Sequence, residues 1–103
     1  MILAPKYKTL IAYAYEGVYE SMLEKVCGEM GVSVEGAKSK SHKREFAKAR
    51  MIFFKLAYET KPFNISMIGR TANRSHCAVY DGIKNVEDVR ELKEKYNQVK
   101  ISL

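Results

Sequence analysis

The stretch "NISMIGRTANRSHCAVYDGIKNV", residues 64–86, decides the fold. Its first half has helical spacing: Ile65, Ile68 and Ala72 fall on one face, and Asn64 or Ser66 can cap the start. Thr71 to Arg74 interrupt the pattern, and Asn73 suits the left-handed backbone of a tight turn. Ser75 can cap a restart, after which Val79, Ile83 and Val86 resume the helical period. Two short helices joined in this way form a helix-turn-helix, which reads the major groove of DNA with the first residues of its second helix.

Here those residues are Ser75, His76, Cys77 and Ala78, with Arg74 just before them. Val79 and Ile83 anchor the opposite face, leaving His76 and Ala78 at the exposed leading end. Arg74 can reach a guanine edge or a phosphate, Ser75 can cap its helix or bond to a nucleic-acid backbone, and the N–H groups of a helix start favour a phosphate. Singly, each has a plainer reading: a solvated turn arginine, a cap serine, a surface histidine. Two-helix turns are also common in all-α proteins, so the motif needs support from elsewhere in the chain.

That support is the location of the charge. The formal net charge of the 103 residues is +6. Residues 38–50, KSKSHKREFAKAR, hold Lys38, Lys40, Lys43, Arg44, Lys48 and Arg50 against Glu45 alone, six minus one, or +5. In 87–103, Glu87, Asp88, Glu91 and Glu94 cancel Arg90, Lys93, Lys95 and Lys100. Such segregation suggests a polyanion-facing edge and an ordinary solvated tail, while a solvated basic helix end without a partner stays open.

Around the motif the pattern is all-α. With 47% hydrophobic and 29% charged residues the chain has the composition of a folded domain, and its length suits one. No strand-like alternation bounded by hairpin turns appears. Tyr7, Leu10, Ile11, Ala14, Val18 and Met22 predict an amphipathic N-terminal helix continuing to Leu23 and Val26 and ending at Gly28 or Gly31; a break at Gly17 is equally defensible. Ser33 can cap a short helical turn to about residue 38, followed by a Ser/Lys-rich loop at 39–42. A central helix then starts at Ser41 or His42, runs through Phe46, Ala49, Phe53, Leu56 and Ala57, and stops at Lys61-Pro62. From Ser75, the series Val79, Ile83, Val86, Val89, Leu92, Tyr96 and Val99 predicts one long final helix, with 100–103 fraying.

Several functions lack their residues. No run reaches the roughly 18 apolar residues of a membrane span, and MILAPKYK lacks the make-up of a signal peptide, so a soluble cytoplasmic protein is expected, nucleoid-associated if bacterial. Cys27 and Cys77 form no CxxC and no metal spacing with His42 or His76, so they read as free thiols, with no metal and no cofactor expected. Catalysis has no paired carboxylate spacing and no glycine loop, and Cys77, next to His76 in sequence, would not face it on a helix, so no enzymatic activity is expected.

Two quoted stretches carry a resemblance. "MLEKVCGEMGVSVEGAKSKSHKREFAKARMIFFKLAYE" and "ISMIGRTANRSHCAV" together resemble the C-terminal DNA-binding domain, domain IV, of the bacterial replication initiator DnaA. That family runs a helix, a segment ending in a Ser-Lys-basic loop, a central helix opened by Ala-Arg-Pro-Arg, and a helix-turn-helix with Ile-Gly and the signature Gly-Arg-Asp-His-Thr-Thr-Val. The match covers about residues 22–86, leaving 1–21 as an additional N-terminal helix of a single-domain chain. It implies a Trp-repressor-like helical fold, double-stranded DNA as partner and replication or transcription control as context.

The resemblance also implies roles by position. Lys48 stands at the arginine that enters the minor groove, and Arg50 at a second arginine lying close to phosphates. Lys43 and Arg44 fall in the basic loop, Arg74 and His76 match the signature Arg and His, Ser75 its Asp, and Cys77 and Ala78 its two threonines. Gly69 matches the glycine of the first motif helix. The departures are concrete: Lys48 lacks the arginine fork, Ala49 replaces the proline, the turn is one residue shorter, and both threonine hydroxyls are lost. Each weakens base discrimination more than DNA binding itself. No GxxxxGK[ST] occurs in the sequence, so nucleotide-driven initiation is not implied and a free-standing DNA-binding domain is expected. Tyr7, Tyr13, Tyr15 and Tyr19 of the N-terminal helix read first as ordinary core; the competing expectation is a protein-interaction module, or a homodimer, that uses that helix as its surface.

Overall fold

The computed structural model describes residues 4–60 and 63–102, with side chains over 17–60 and 63–101. Local rules set most element ends. α1 (Ala4–Met30) runs through Gly17 unbroken and ends where Gly31 turns left-handed at φ 70°, with Gly31 N–H donating to Gly28 O and Val32 N–H to Cys27 O. α2 (Val34–Lys38) is capped by Ser33, whose Oγ accepts from Gly36 N–H at 3.0 Å. Serines then shape the loop: Ser39 Oγ donates to Gly36 O and accepts from Ser41 N–H, and Ser41 Oγ accepts from Lys43 N–H.

Those serine turns displace the start of α3 (Arg44–Glu59), two or three residues later than Ser41 or His42. It still begins before the Lys48-Ala49-Arg50 segment. Ala49 therefore lies in the body of the helix, where a proline could not. Thr60 caps the other end through its N–H and its hydroxyl on Leu56 O; Lys61 and Pro62 lie outside the described residues.

α4 (Ile65–Thr71) starts at Asn64, whose side chain accepts from Met67 N–H at 3.2 Å. Asn73, at φ 59°, makes the turn, and Ser75 caps α5 (His76–Asp88) by accepting from Ala78 N–H at 3.3 Å. Gly69 is required here. Arg74 N–H donates to Gly69 O at 2.7 Å, and a Cβ on Gly69 would stand 2.6 Å from Arg74 O.

One long C-terminal helix was expected, and the structure corrects it. Val89, with φ −99° and ψ 114°, ends α5, and α6 (Arg90–Ser102) leaves in a new direction. The sequence reason is phase: Val79, Ile83 and Val86 lie roughly 140° around a continuous 3.6-residue helix from Leu92, Tyr96 and Val99. A straight rod could not bury both stripes. The bend buries both, and Val89 is left exposed.

All of these helices share one core. Tyr19, Leu23, Val26 and Cys27 of α1 meet Ile52, Phe53, Phe54 and Ala57 of α3, Ile68 of α4, Val79 and Ile83 of α5, and Leu92, Tyr96 and Val99 of α6. The buried stripe of α1 is rotated from the expected Val18 and Met22: Val18 is exposed, and Tyr19 is buried with its Oη accepting from Asn64 N–H at 3.0 Å. Burial also raises the Cys27 thiol pKa, partly offset by Lys38. Tyr7, Leu10, Ile11, Tyr13, Ala14 and Tyr15 lie outside the described side chains. No helix among the described residues is long and apolar enough to cross a membrane.

Candidate nucleic-acid interface

The leading end of α5 is open. His76 and Cys77 are exposed, Ala78 is half-buried, and neither α4 nor α5 has an acidic residue in its first turn. Ser75 Oγ is held by Ala78 N–H, which leaves its hydroxyl hydrogen to donate outward. His76 Nε2 and Ser66 Oγ share a hydrogen bond of 2.8 Å whose direction follows the imidazole tautomer. Ser66, Arg70, Asn73, Arg74, Ser75 and His76 line a shallow depression of about 560 Å³. Its cationic, hydroxyl-bearing lining is suited to an anion.

The basic segment divides into two groups. Lys40, Lys43 and Arg44 are exposed. Lys38 Nζ is held by Glu20 at 2.8 Å, Lys48 Nζ by Glu91 at 2.6 Å, and Arg50 is only 6% exposed. The +5 read from the sequence is therefore partly cancelled or covered. Arg44 is near enough to Glu91 to help lower its pKa, after the larger effect of the Lys48 hydrogen bond and charge.

Arg50 and Arg74 have different surroundings from those the sequence suggested. Arg50 donates from Nη1 to Ala37 O and from Nη2 to Ser41 O, each at 3.0 Å. Burial and then the neighbouring Arg74 charge lower its pKa, although a guanidinium stays protonated at any physiological pH. Arg74 is half-buried and donates to Ser39 O at 2.6 Å and Asn73 O at 3.0 Å. The structure thus brings Lys43, Arg44, Ser75, His76, Cys77 and Ala78 to the surface, sets Lys48 against an acid, and turns Arg50 inward.

Sequence reasoning overlooked part of the outward face. Tyr80, 53% exposed, and Lys84 follow His76 at successive four-residue steps along α5, and Arg70 and Ser66 of α4 border the same depression. The i, i+4 spacing of 76, 80 and 84 was the available signal. Asp81 is exposed beside them. Among the described residues no group of His, Cys, Asp or Glu could hold a metal ion.

A short helix, a left-handed turn, and a second helix with an open, acid-free start define a helix-turn-helix domain of the DNA-binding class. Residues 19–86 match the family model described as the bacterial dnaA protein helix-turn-helix. The chain belongs to that family, a match that points to DNA binding. A curated relative, the chromosomal replication initiator protein DnaA of Oleidesulfovibrio alaskensis (strain ATCC BAA-1058 / DSM 17464 / G20), is 32% identical over 68 residues. That alignment covers 66% of this chain and 15% of the relative. No solved structure gives a significant match.

Proposed function

We propose that this chain binds double-stranded DNA with the leading end of α5 in the major groove and the loop 39–43 and start of α3 on the adjoining backbone or minor groove, in replication or transcription control. The observation that carries this reading is the exposed, acid-free start of α5, whose preceding turn is bonded to a loop bearing Lys40 and Lys43, with Arg44 opening α3. His76 and Cys77 face base edges, Ala78 offers a methyl to a thymine, and Ser75 donates to a phosphate. Tyr80 and Lys84 extend the contact along α5. Asp81 accepts from a cytosine amino group or is repelled by a phosphate, which restricts the sequences tolerated. Lys48 reaches DNA only by exchanging Glu91 for a phosphate.

The interaction-module alternative gains no specific support: Tyr19 is core, and the remaining N-terminal tyrosines lie outside the described side chains.

The test is a fluorescence-anisotropy titration of a labelled duplex at several salt concentrations, for wild type and Lys43→Glu/Arg44→Glu. Binding should weaken with salt at a log–log slope of about −0.9 per phosphate contact, and the double variant should flatten that slope by about 1.8. A second readout is thiol labelling: Cys77, exposed, should react fast and be protected by duplex, while buried Cys27 stays slow in both states. Salt-independent affinity, or no binding at low salt, would sink the reading.

A further inference from the structure

Segment 37–41 lies beside the helix-turn-helix, and its alternate carbonyls are taken by two guanidinium groups from different parts of the chain. Arg50, on α3, bridges Ala37 O and Ser41 O at 3.0 Å each, and Arg74, in the motif turn, binds Ser39 O between them at 2.6 Å. We propose that Arg50 and Arg74 are positioning residues: together they form a clamp that holds residues 37–41 against the turn and thereby sets where Lys40 and Lys43 stand relative to the start of α5.

Three features support this assignment, which rests on the DNA-binding reading. The serine bonds within 36–43 are all local, so they shape the loop without fixing its place; the arginine bonds cross 9, 13 and 35 residues. Bridging two carbonyls requires two donors in a rigid fork, which arginine has and lysine lacks. Arg50 is buried against the like charge of Arg74, an unfavourable place for a cation with no anion bonded to it, and its bonds go to neutral acceptors. Both positive charges therefore remain uncancelled behind the surface, adding to its field without touching a ligand.

The decisive variant is Arg50→Lys, which keeps the charge and removes the fork. Amide hydrogen exchange and the salt dependence of duplex binding would be measured for wild type, Arg50→Lys, Lys40→Ala/Lys43→Ala and the triple variant. Expected are roughly tenfold faster exchange confined to residues 38–43, a slope flattened by about 1.8 as in Lys40→Ala/Lys43→Ala, and little further loss in the triple variant. A direct phosphate contact by Arg50 predicts the opposite: the slope holds in Arg50→Lys, and Lys40→Ala/Lys43→Ala adds its full loss. A purely structural role lowers Tm and leaves the slope of the folded protein intact; either result overturns the clamp. If wild type binds no duplex, the DNA-binding reading fails on its own, and unchanged exchange at 38–43 would still refute the clamp separately. Should Arg50→Lys not fold, Arg74→Lys, which breaks the fork that joins Ser39 O to Asn73 O, replaces it with the same expected outcomes.

Discussion

Two faces of this small helical domain use their cations in opposite ways. Where α3 meets α5 and α6, Lys48 and Lys55 are bonded to Glu91 and Glu87 at 2.6 and 2.8 Å, so each positive charge is cancelled. Where α3 meets the loop and the motif turn, Arg50 and Arg74 bond to carbonyls, which satisfy their N–H groups and leave the charge in place. Both arrangements tie distant segments together, but only the second preserves a positive field. The carbonyl-bound face adjoins Lys40, Lys43 and the motif turn that leads into the open start of α5, whereas Arg44, one helical turn before Lys48, lies towards Glu91. Electrostatic neutrality on one side and retained charge on the other give the domain a direction of approach to a polyanion.

The largest effect should come from breaking the carbonyl-bound face at its tightest point. In Gly69→Ala the new methyl meets Arg74 O at 2.6 Å, a backbone atom that cannot swing aside. The turn must move, at a cost of about 1–3 kcal/mol, visible as a fall in Tm. An unchanged Tm would show that the approach of α4 to the turn is looser than described.

A smaller effect tests the acid-paired face. Glu91→Gln releases Lys48 and should steepen the salt slope of DNA binding by about 0.9, one phosphate contact, with little change in Tm because the pair is exposed. Glu94→Gln, which removes an acid from the same helix and loosens Arg90 without touching Lys48, controls for net charge. Equal slopes in the two variants would mean that Lys48 points away from DNA even when released.

The smallest effect is acid dependence. Glu87 and Glu91 have depressed pKa values, chiefly from the Lys55 and Lys48 hydrogen bonds and then from those charges. Their contribution to stability is present above the ordinary glutamate value of 4.5 and is lost as pH falls through the lower folded values. Denaturation midpoints measured down through that window should fall less in Glu87→Gln/Glu91→Gln than in wild type. At the alkaline end the sign reverses for Tyr96: burial first, then its hydrogen bond to Glu59, raise its pKa, so the stability it contributes is lost as pH rises above the ordinary tyrosine value of 10.0.

How much of this was legible beforehand follows from range. Ser33, Asn64, Ser75, Gly31 and Asn73 each act within a few residues, and each sits where local rules place it. The start of α3 was misplaced because Ser39 and Ser41 can serve a helix cap or a loop turn, and only the finished loop shows which. The bend at Val89 was missed because a spacing of threes and fours can always be threaded through a long apolar series; the angular phase of its two halves holds the break. Val18 falls outside the core although its spacing fits the apolar series, while Tyr19, one of the tyrosines read as core, enters it with its hydroxyl on the Asn64 N–H, 45 residues away.

The sequence by itself determined the helical class, the motif at 64–86, its caps and the +5 segment, because backbone capping, apolar period and charge count are properties of short windows. Only the tertiary structure decided which cations face outward. Lys38, Lys48, Arg50 and Arg74 look equivalent to Lys43 and Arg44 along the chain, and what separates them is a carboxylate or carbonyl brought near by folding, at Glu20, Glu91, Ala37, Ser39 and Ser41. A side chain's role in binding depends on whether its donors are already satisfied, and that is a non-local fact.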